Sequence, residues 1–160
     1  VNRLKNTYAR IAAEMEENHI PLYAQHMDDM DVGTLIDIFR DEHKACLLGT
    51  DAIRDGVDVP GESLRLIVFD RVPWPRPNIL HKARRELFGK RHYDEMVTRL
   101  KIKQAFGRLI RREHDKGIFV MLDSMFPSRL HTAFSADVEI EKLGLSEACE
   151  TIKNFLSENS

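Results

Sequence analysis

Gln104-Ala105-Phe106-Gly107-Arg108-Leu109-Ile110-Arg111 has the spacing of a helix with two unlike faces. At 3.6 residues per turn, positions 104, 107, 108 and 111 fall within an arc of about 100°, while Ile102, Phe106, Leu109 and Ile110 crowd the opposite side. One face packs; the other presents a glutamine and two arginines. Gly107 lies inside the polar stripe, where a side chain would not disturb the packing, so its missing Cβ points to something approaching the backbone closely. An anion such as phosphate suits two guanidinium forks beside bare backbone.

Outward from that helix, four short apolar runs without polar alternation read as strands buried on both faces: Ile20 to Ala24, Ala45 to Leu48, Leu66 to Phe69 and Ile118 to Leu122. Helical patterns lie between them. Leu4, Tyr8, Ile11 and Met15 form one stripe; Val32, Leu35, Ile36 and Phe39 form another, N-capped by Asp31. Such alternation implies crossover connections and a largely parallel sheet, with functional loops at the carboxyl ends of strands. Pro73, Pro75 and Pro77 make the stretch from Val72 to Pro77 a loop directly after a strand. From Asn78 to Lys116 the composition is helical and basic, with a break around Gly89. Leu145, Ala148, Cys149, Ile152, Phe155 and Leu156 mark a terminal amphipathic helix, with Ser146 as its expected cap.

With 160 residues, 42% of them hydrophobic, the chain is expected to form one domain with a real core. No apolar run approaches the ~20 residues of a membrane helix, and the opening residues lack a signal-peptide pattern, so a soluble, cytoplasmic protein with no membrane partner is expected. Cys46 and Cys149 are two and far apart, which gives no support to a disulfide framework or zinc site; reduced, buried thiols are the expectation. The net charge of -2 conceals segregation. Residues 1 to 70 hold 7 Lys+Arg and 14 Asp+Glu (net -7), residues 71 to 116 hold 14 and 5 (net +9), and residues 117 to 160 hold 3 and 7 (net -4). A basic middle third adjoining the arginine stripe favours a polyanionic partner over a merely solvated surface.

Gln104, Gly107, Arg108, Ile110 and Arg111 resemble motif VI, Q-x-x-G-R-x-I-R, of superfamily 2 helicases. Upstream, Gly49-Thr50-Asp51-Ala52-Ile53-Arg54-Asp55-Gly56-Val57-Asp58-Val59-Pro60-Gly61 resembles motif V of the DinG and XPD branch. Asp115-Lys116-Gly117-Ile118-Phe119-Val120-Met121-Leu122-Asp123 is similar to the glycine, apolar strand and aspartate that follow motif VI there. The resemblance covers roughly residues 20 to 130. It implies the second RecA-like motor domain of an ATP-dependent DNA helicase of the kind associated with DNA repair: an α/β, P-loop NTPase-type fold with a mostly parallel sheet flanked by helices. It further implies a single domain over residues 1–160, with the basic loop and helical segment 71–116 inside it. In the family a strand precedes the first helix, whereas this chain opens within that helix at Val1, so an N-terminally truncated piece is expected. Neither a G-x-x-x-x-G-K-[ST] loop nor a D-E-A-H box occurs. ATP with Mg²⁺ is therefore expected to be bound mainly by an N-terminal RecA-like domain outside this sequence, and the piece alone is not expected to hydrolyse ATP.

By the same resemblance, Arg108 and Arg111 are candidate arginine fingers, a device contributing about 10³ to 10⁵ in rate in GTPases, and Gln104 would orient water or a phosphate oxygen. Their bland alternative is a helix displaying solvated side chains. Asp55, Gly56, Asp58 and Gly107 are candidate nucleotide-binding positions, although residue 55 is usually Glu in the family; a turn with acidic caps is the alternative. Gly49 and Thr50, at a strand end, offer an unblocked N–H and a hydroxyl to a phosphate of single-stranded DNA; a strand-terminating turn with a local Thr cap is the alternative. In the proline loop Trp74 is a candidate for base stacking and Arg76, with Arg71, for weak phosphate contact, though lone tryptophans more often pack. The seven histidines form no ligand set; His26 with Asp28 and Asp29 reads as a helix start, and no metal is expected within this chain. A noncatalytic nucleic-acid-binding or interaction module that kept the fold is the main alternative function. A freestanding nucleotide-binding enzyme ranks below it, lacking a glycine fingerprint after a first strand.

Overall fold

A computed structural model describes residues 2–27, 29–42, 44–56, 64–112 and 114–158. These residues gather into two compact units, one running to Leu64 and joined by Arg111–Asp115, the other made of Arg65–Ile110 and Lys116–Ser160.

The first unit begins with helix α1 (Asn2–Glu17), followed by strand β1 (Leu22–Ala24), α2 (Val32–Asp41), β2 (Cys46–Leu48) and α3 (Asp51–Gly56). The strands are parallel, with Leu22 opposite Cys46, Tyr23 opposite Leu47 and Ala24 opposite Leu48, so α2 is the crossover between them. Asp31 caps α2 as expected, accepting the N–H groups of Gly33 at 2.8 Å and Thr34 at 3.2 Å and the Thr34 hydroxyl at 2.6 Å. These bonds, the Thr34 hydroxyl foremost, hold the Asp31 carboxyl below the ordinary carboxylate range. The stripe read from sequence is the inward face: Leu35, Ile36 and Phe39 are buried, and Ile36 and Phe39 pack with Ile53 of α3 against Val32, Ala45, Leu47 and Leu64. The turn after β1 corrects the reading of His26 with Asp28 and Asp29 as a helix start; Asp28 itself lies outside the described residues. His26 is left-handed, with φ 69°, and α2 starts only after Asp31.

The second unit holds β3 (Leu66–Phe69), α4 (Ile79–Phe88), α5 (Lys90–Leu109), β4 (Ile118–Met121), a 3₁₀ segment (Ser128–Ala133) and α6 (Leu145–Glu158). Strands β3 and β4 are also parallel, in register from Leu66 with Ile118 to Phe69 with Met121. The helix break falls at Gly89, whose φ of 86° and ψ of 124° lie where a side chain is disfavoured. Asn78 caps α4, accepting the His81 N–H at 2.7 Å. Val72, Ile102, Leu130 and Ala133 form the core, with Phe119, Met121, Phe126 and Phe134 packed around them. Phe106 and Phe134 meet edge to face at 5.3 Å between ring centres, so α5 is anchored by its apolar stripe.

All four strands fall within the apolar runs, but full burial is not found. Of the strand residues only Ala24 is buried, and Val68 is 50% exposed. Each described sheet has two strands, so every strand is an edge strand with a neighbour on one side only, which leaves its residues partly exposed. Ser146 does not cap α6; the helix starts at Leu145, and the Ala148 N–H bonds the Gly144 carbonyl at 2.9 Å. The thiols also differ from expectation: Cys46 is half-buried, which pushes its pKa up, whereas Cys149 is exposed on α6.

Candidate nucleotide and nucleic-acid site

Helix α5 carries Gln104, Gly107 and Arg108 of motif VI on its last two turns. Ile102, Ala105 and Leu109 are buried and Phe106 is half-buried, while Gln104 and Gly107 are exposed and Arg108 is half-buried. A Cβ built on Gly107 would meet nothing within 4 Å. The fold therefore does not need glycine there, which leaves open backbone between an amide and a guanidinium. That set offers donors and positive charge, so it fits a phosphate and not a cation.

Arg111 departs from the expected stripe. The helix ends at Leu109, and Ile110 adopts an extended conformation with φ -119° and ψ 107°. The helical arc thus holds Gln104, Gly107 and Arg108 but not Arg111, which lies in the following turn and clusters with the first unit. Asp115 builds that turn: its Oδ2 accepts the N–H groups of Arg111 at 2.8 Å and Arg112 at 2.9 Å. The same two bonds lower its pKa. Downstream, a Cβ on Gly117 would lie 2.5 Å from Leu109 Cδ1 and Cγ. The glycine that opens β4 is thus what lets the last apolar residue of α5 sit against the backbone.

In the first unit, Gly49 and Thr50 follow β2 directly. A Cβ on Gly49 would come within 2.7 Å of Ile53 Cβ, so packing of α3 demands glycine at this point. Neither polar donor of Thr50 is open: its N–H and its hydroxyl both reach Oε1 of Gln25, at 3.0 and 2.8 Å. Gln25 was not singled out from sequence; a partner 25 residues away leaves no local signal. Asp55 and Gly56 fall in α3. The side chains there, and the whole of Asp58, lie outside the described residues.

The profile of the helicase C-terminal domain family matches residues 1–139. The chain belongs to that family. Over 133 residues it is 33% identical to an ATP-dependent helicase DinG of Mycobacterium tuberculosis, covering 79% of this chain and 20% of that protein. Over 108 residues it is 35% identical to the ATP-dependent DNA helicase YoaA of Escherichia coli, covering 63% and 17%. A 3'-5' exonuclease DinG of Bacillus subtilis is 33% identical over 127 residues, covering 75% and 14%. The chain thus spans about a fifth or less of the length of these relatives.

Other parts of this helicase C-terminal domain bear on the basic block. In the proline loop Trp74 is 40% exposed, and Arg71 and Arg76 are exposed. The loop is tied to the end of β4 by Asp123, which accepts the Val72 N–H at 3.1 Å and the Met125 N–H at 3.0 Å. Those bonds, Val72 first, depress the Asp123 pKa. Glu95, buried on α5, was also not picked from sequence. It accepts from Arg91 at 2.8 Å, from Arg99 at 3.2 Å and from Arg129 of the 3₁₀ segment. Bonds to Arg91 and Arg129 lower its pKa from 4.5 to about 2. The spacing of Arg91 and Arg99, four residues either side, was readable as helix pairing; Arg129 was not. Among the described residues, no group of three or more His, Cys, Asp or Glu side chains could hold a metal ion, and no helix is long and apolar enough to cross a membrane.

Proposed function

We propose that this helicase C-terminal domain works as the second half of an ATP-driven motor on single-stranded DNA. An N-terminal RecA-like domain outside the sequence would bind ATP with Mg²⁺; hydrolysis there supplies the free energy for stepping. The observation that carries the reading is the outward face of α5, where exposed Gln104, the open backbone of Gly107 and half-buried Arg108 follow one another at the motif VI position; donors and positive charge in that order support a phosphate-binding role. Arg108 and Arg111 are the proposed arginine fingers, since a planar cation that stays charged stabilises the negative charge growing on a transferred phosphoryl group. Gln104 is assigned to orient a phosphate oxygen or water. Asp55, Gly56 and Asp58 are assigned to couple the nucleotide to the DNA track. Gly49, Thr50, Trp74 and Arg76 are assigned to that track, and a cytoplasmic location rests on the DNA substrate.

Arg108→Ala and Arg111→Ala in the full-length protein should each abolish ATP turnover while leaving nucleotide binding largely intact. Unchanged turnover would reject the finger assignment.

One comparison supports a second reading. A relative that carries this domain is named a 3'-5' exonuclease and not a helicase. The domain could then serve as a nucleic-acid-binding module without motor action. DNA binding that persists with no DNA-stimulated ATPase in the full-length protein would favour that alternative.

A further inference from the structure

Gln25 directly follows β1 and is only 5% exposed. Its backbone N–H bonds the Leu48 carbonyl at 2.9 Å, which sets it beside the end of β2, and the chain turns away immediately after at the left-handed His26. Its side-chain oxygen receives both donors of Thr50, the N–H at 3.0 Å and the hydroxyl at 2.8 Å. The N–H fixes which end of the amide faces Thr50, because a backbone N–H bonds the oxygen and not the NH₂.

A backbone N–H and a hydroxyl of one residue converging on one oxygen is also how a threonine would hold a phosphate oxygen. Oε1 of Gln25 therefore occupies the seat that the reading above gives to a DNA phosphate. We propose that Gln25 is a built-in competitor for that seat: it takes both Thr50 donors when DNA is absent and gives them up when a phosphate arrives. The proposal rests on the assignment of Thr50 to the DNA track.

The exchange has a physical direction. A hydrogen bond to a charged phosphate oxygen is about twice as strong as one to a neutral amide oxygen, so an arriving phosphate displaces Gln25. When it leaves, Gln25 restores partners to two donors that would otherwise stand unsatisfied in a partly buried site. Thr50 is half-buried and Gly49 exposed, so the seat is reachable. A motor that releases and retakes phosphates at each step gains a satisfied resting state.

The test is the affinity of the full-length protein for a fluorescein-labelled oligo(dT), read by anisotropy at fixed salt without nucleotide. Gln25→Met removes the competing acceptor and should tighten binding about threefold to tenfold, the worth of one released hydrogen bond. Gln25→Asn, which withdraws the oxygen by one methylene, should act in the same direction and decides the matter if the Met variant does not fold. Gln25→Glu puts a charged oxygen in the seat and should weaken binding. Thr50→Val should weaken binding as well, and on that background Gln25→Met should have no effect. If Thr50→Val weakens binding but the Met and Asn variants leave it unchanged or weaker, the competitor role is overturned while the DNA role of Thr50 stands. If Thr50→Val has no effect, the DNA role of Thr50 fails, and the competitor role with it.

Discussion

Replacing Gly117 by Ala tests how the motif VI helix is anchored. The new Cβ would lie 2.5 Å from both Cδ1 and Cγ of Leu109 and 3.0 Å from Cδ2, where carbon atoms normally rest about 3.5–4.0 Å apart. Leu109 is 2% exposed and cannot swing into solvent, so either β4 or the end of α5 must move. Overpacking of this kind costs about 1–3 kcal/mol, equivalent to roughly 5- to 150-fold more frequent local opening. Hydrogen exchange followed by mass spectrometry on peptides spanning the end of α5 and the start of β4 should show that acceleration. Leu109→Ala alone destabilises by about 2–5 kcal/mol through the cavity it leaves, but it removes the atoms that the added methyl group would strike. Gly117→Ala should then add almost nothing on the Leu109→Ala background. Wild-type exchange in Gly117→Ala, or the same penalty in both backgrounds, would refute the close-approach account.

Gly107→Ala should have the opposite effect on the fold: its Cβ enters open space, and alanine gains about 0.5–1 kcal/mol over glycine in a helix, so thermal stability should rise while ATP turnover of the full-length protein falls. A variant that is both more stable and fully active would remove the phosphate role of that face. Glu95 makes a pH-dependent contribution. Its folded pKa of about 2 is depressed from 4.5, so its stabilisation is complete above 4.5 and is lost as pH falls from there toward 2. The melting temperatures of wild type and Glu95→Gln should differ at neutral pH and converge on acidification; a constant gap would contradict the arginine cluster. Trp74→Ala should weaken oligo(dT) binding by about 1–3 kcal/mol if a base stacks on the ring, and an unchanged affinity would assign Trp74 to loop packing alone.

The strand runs, the α2 stripe with its Asp31 cap and the break at Gly89 were legible because each depends on neighbours within a few residues. The end of α5 was not. Arg108-Leu109-Ile110-Arg111-Arg112 contains no glycine or proline to stop a helix, and the stop comes from Asp115, which takes the Arg111 and Arg112 N–H groups from outside the helix. A reading by period therefore carried Arg111 one step too far along the stripe. The motif V patch shows the same limit: Gly49 and Thr50 could be chosen as a strand-end pair, but Gln25, which takes both Thr50 donors, belongs to another strand end. Gly117 shows a further one, since only the packed position of Leu109 tells why that position lacks a side chain.

The carboxylates paired with arginine along α5 alter how the basic block meets a polyanion. Arg91 and Arg99 are matched to Glu95 and Arg85 to Asp94, so part of the formal charge is already compensated before any strand arrives. Single-stranded DNA sheds condensed counterions only for phosphates newly neutralised, with a slope of about 0.7 per contact in log affinity against log salt. A salt titration should therefore count fewer ionic contacts than the tally of lysines and arginines, and the shortfall measures how much of this positive charge serves to hold helices together.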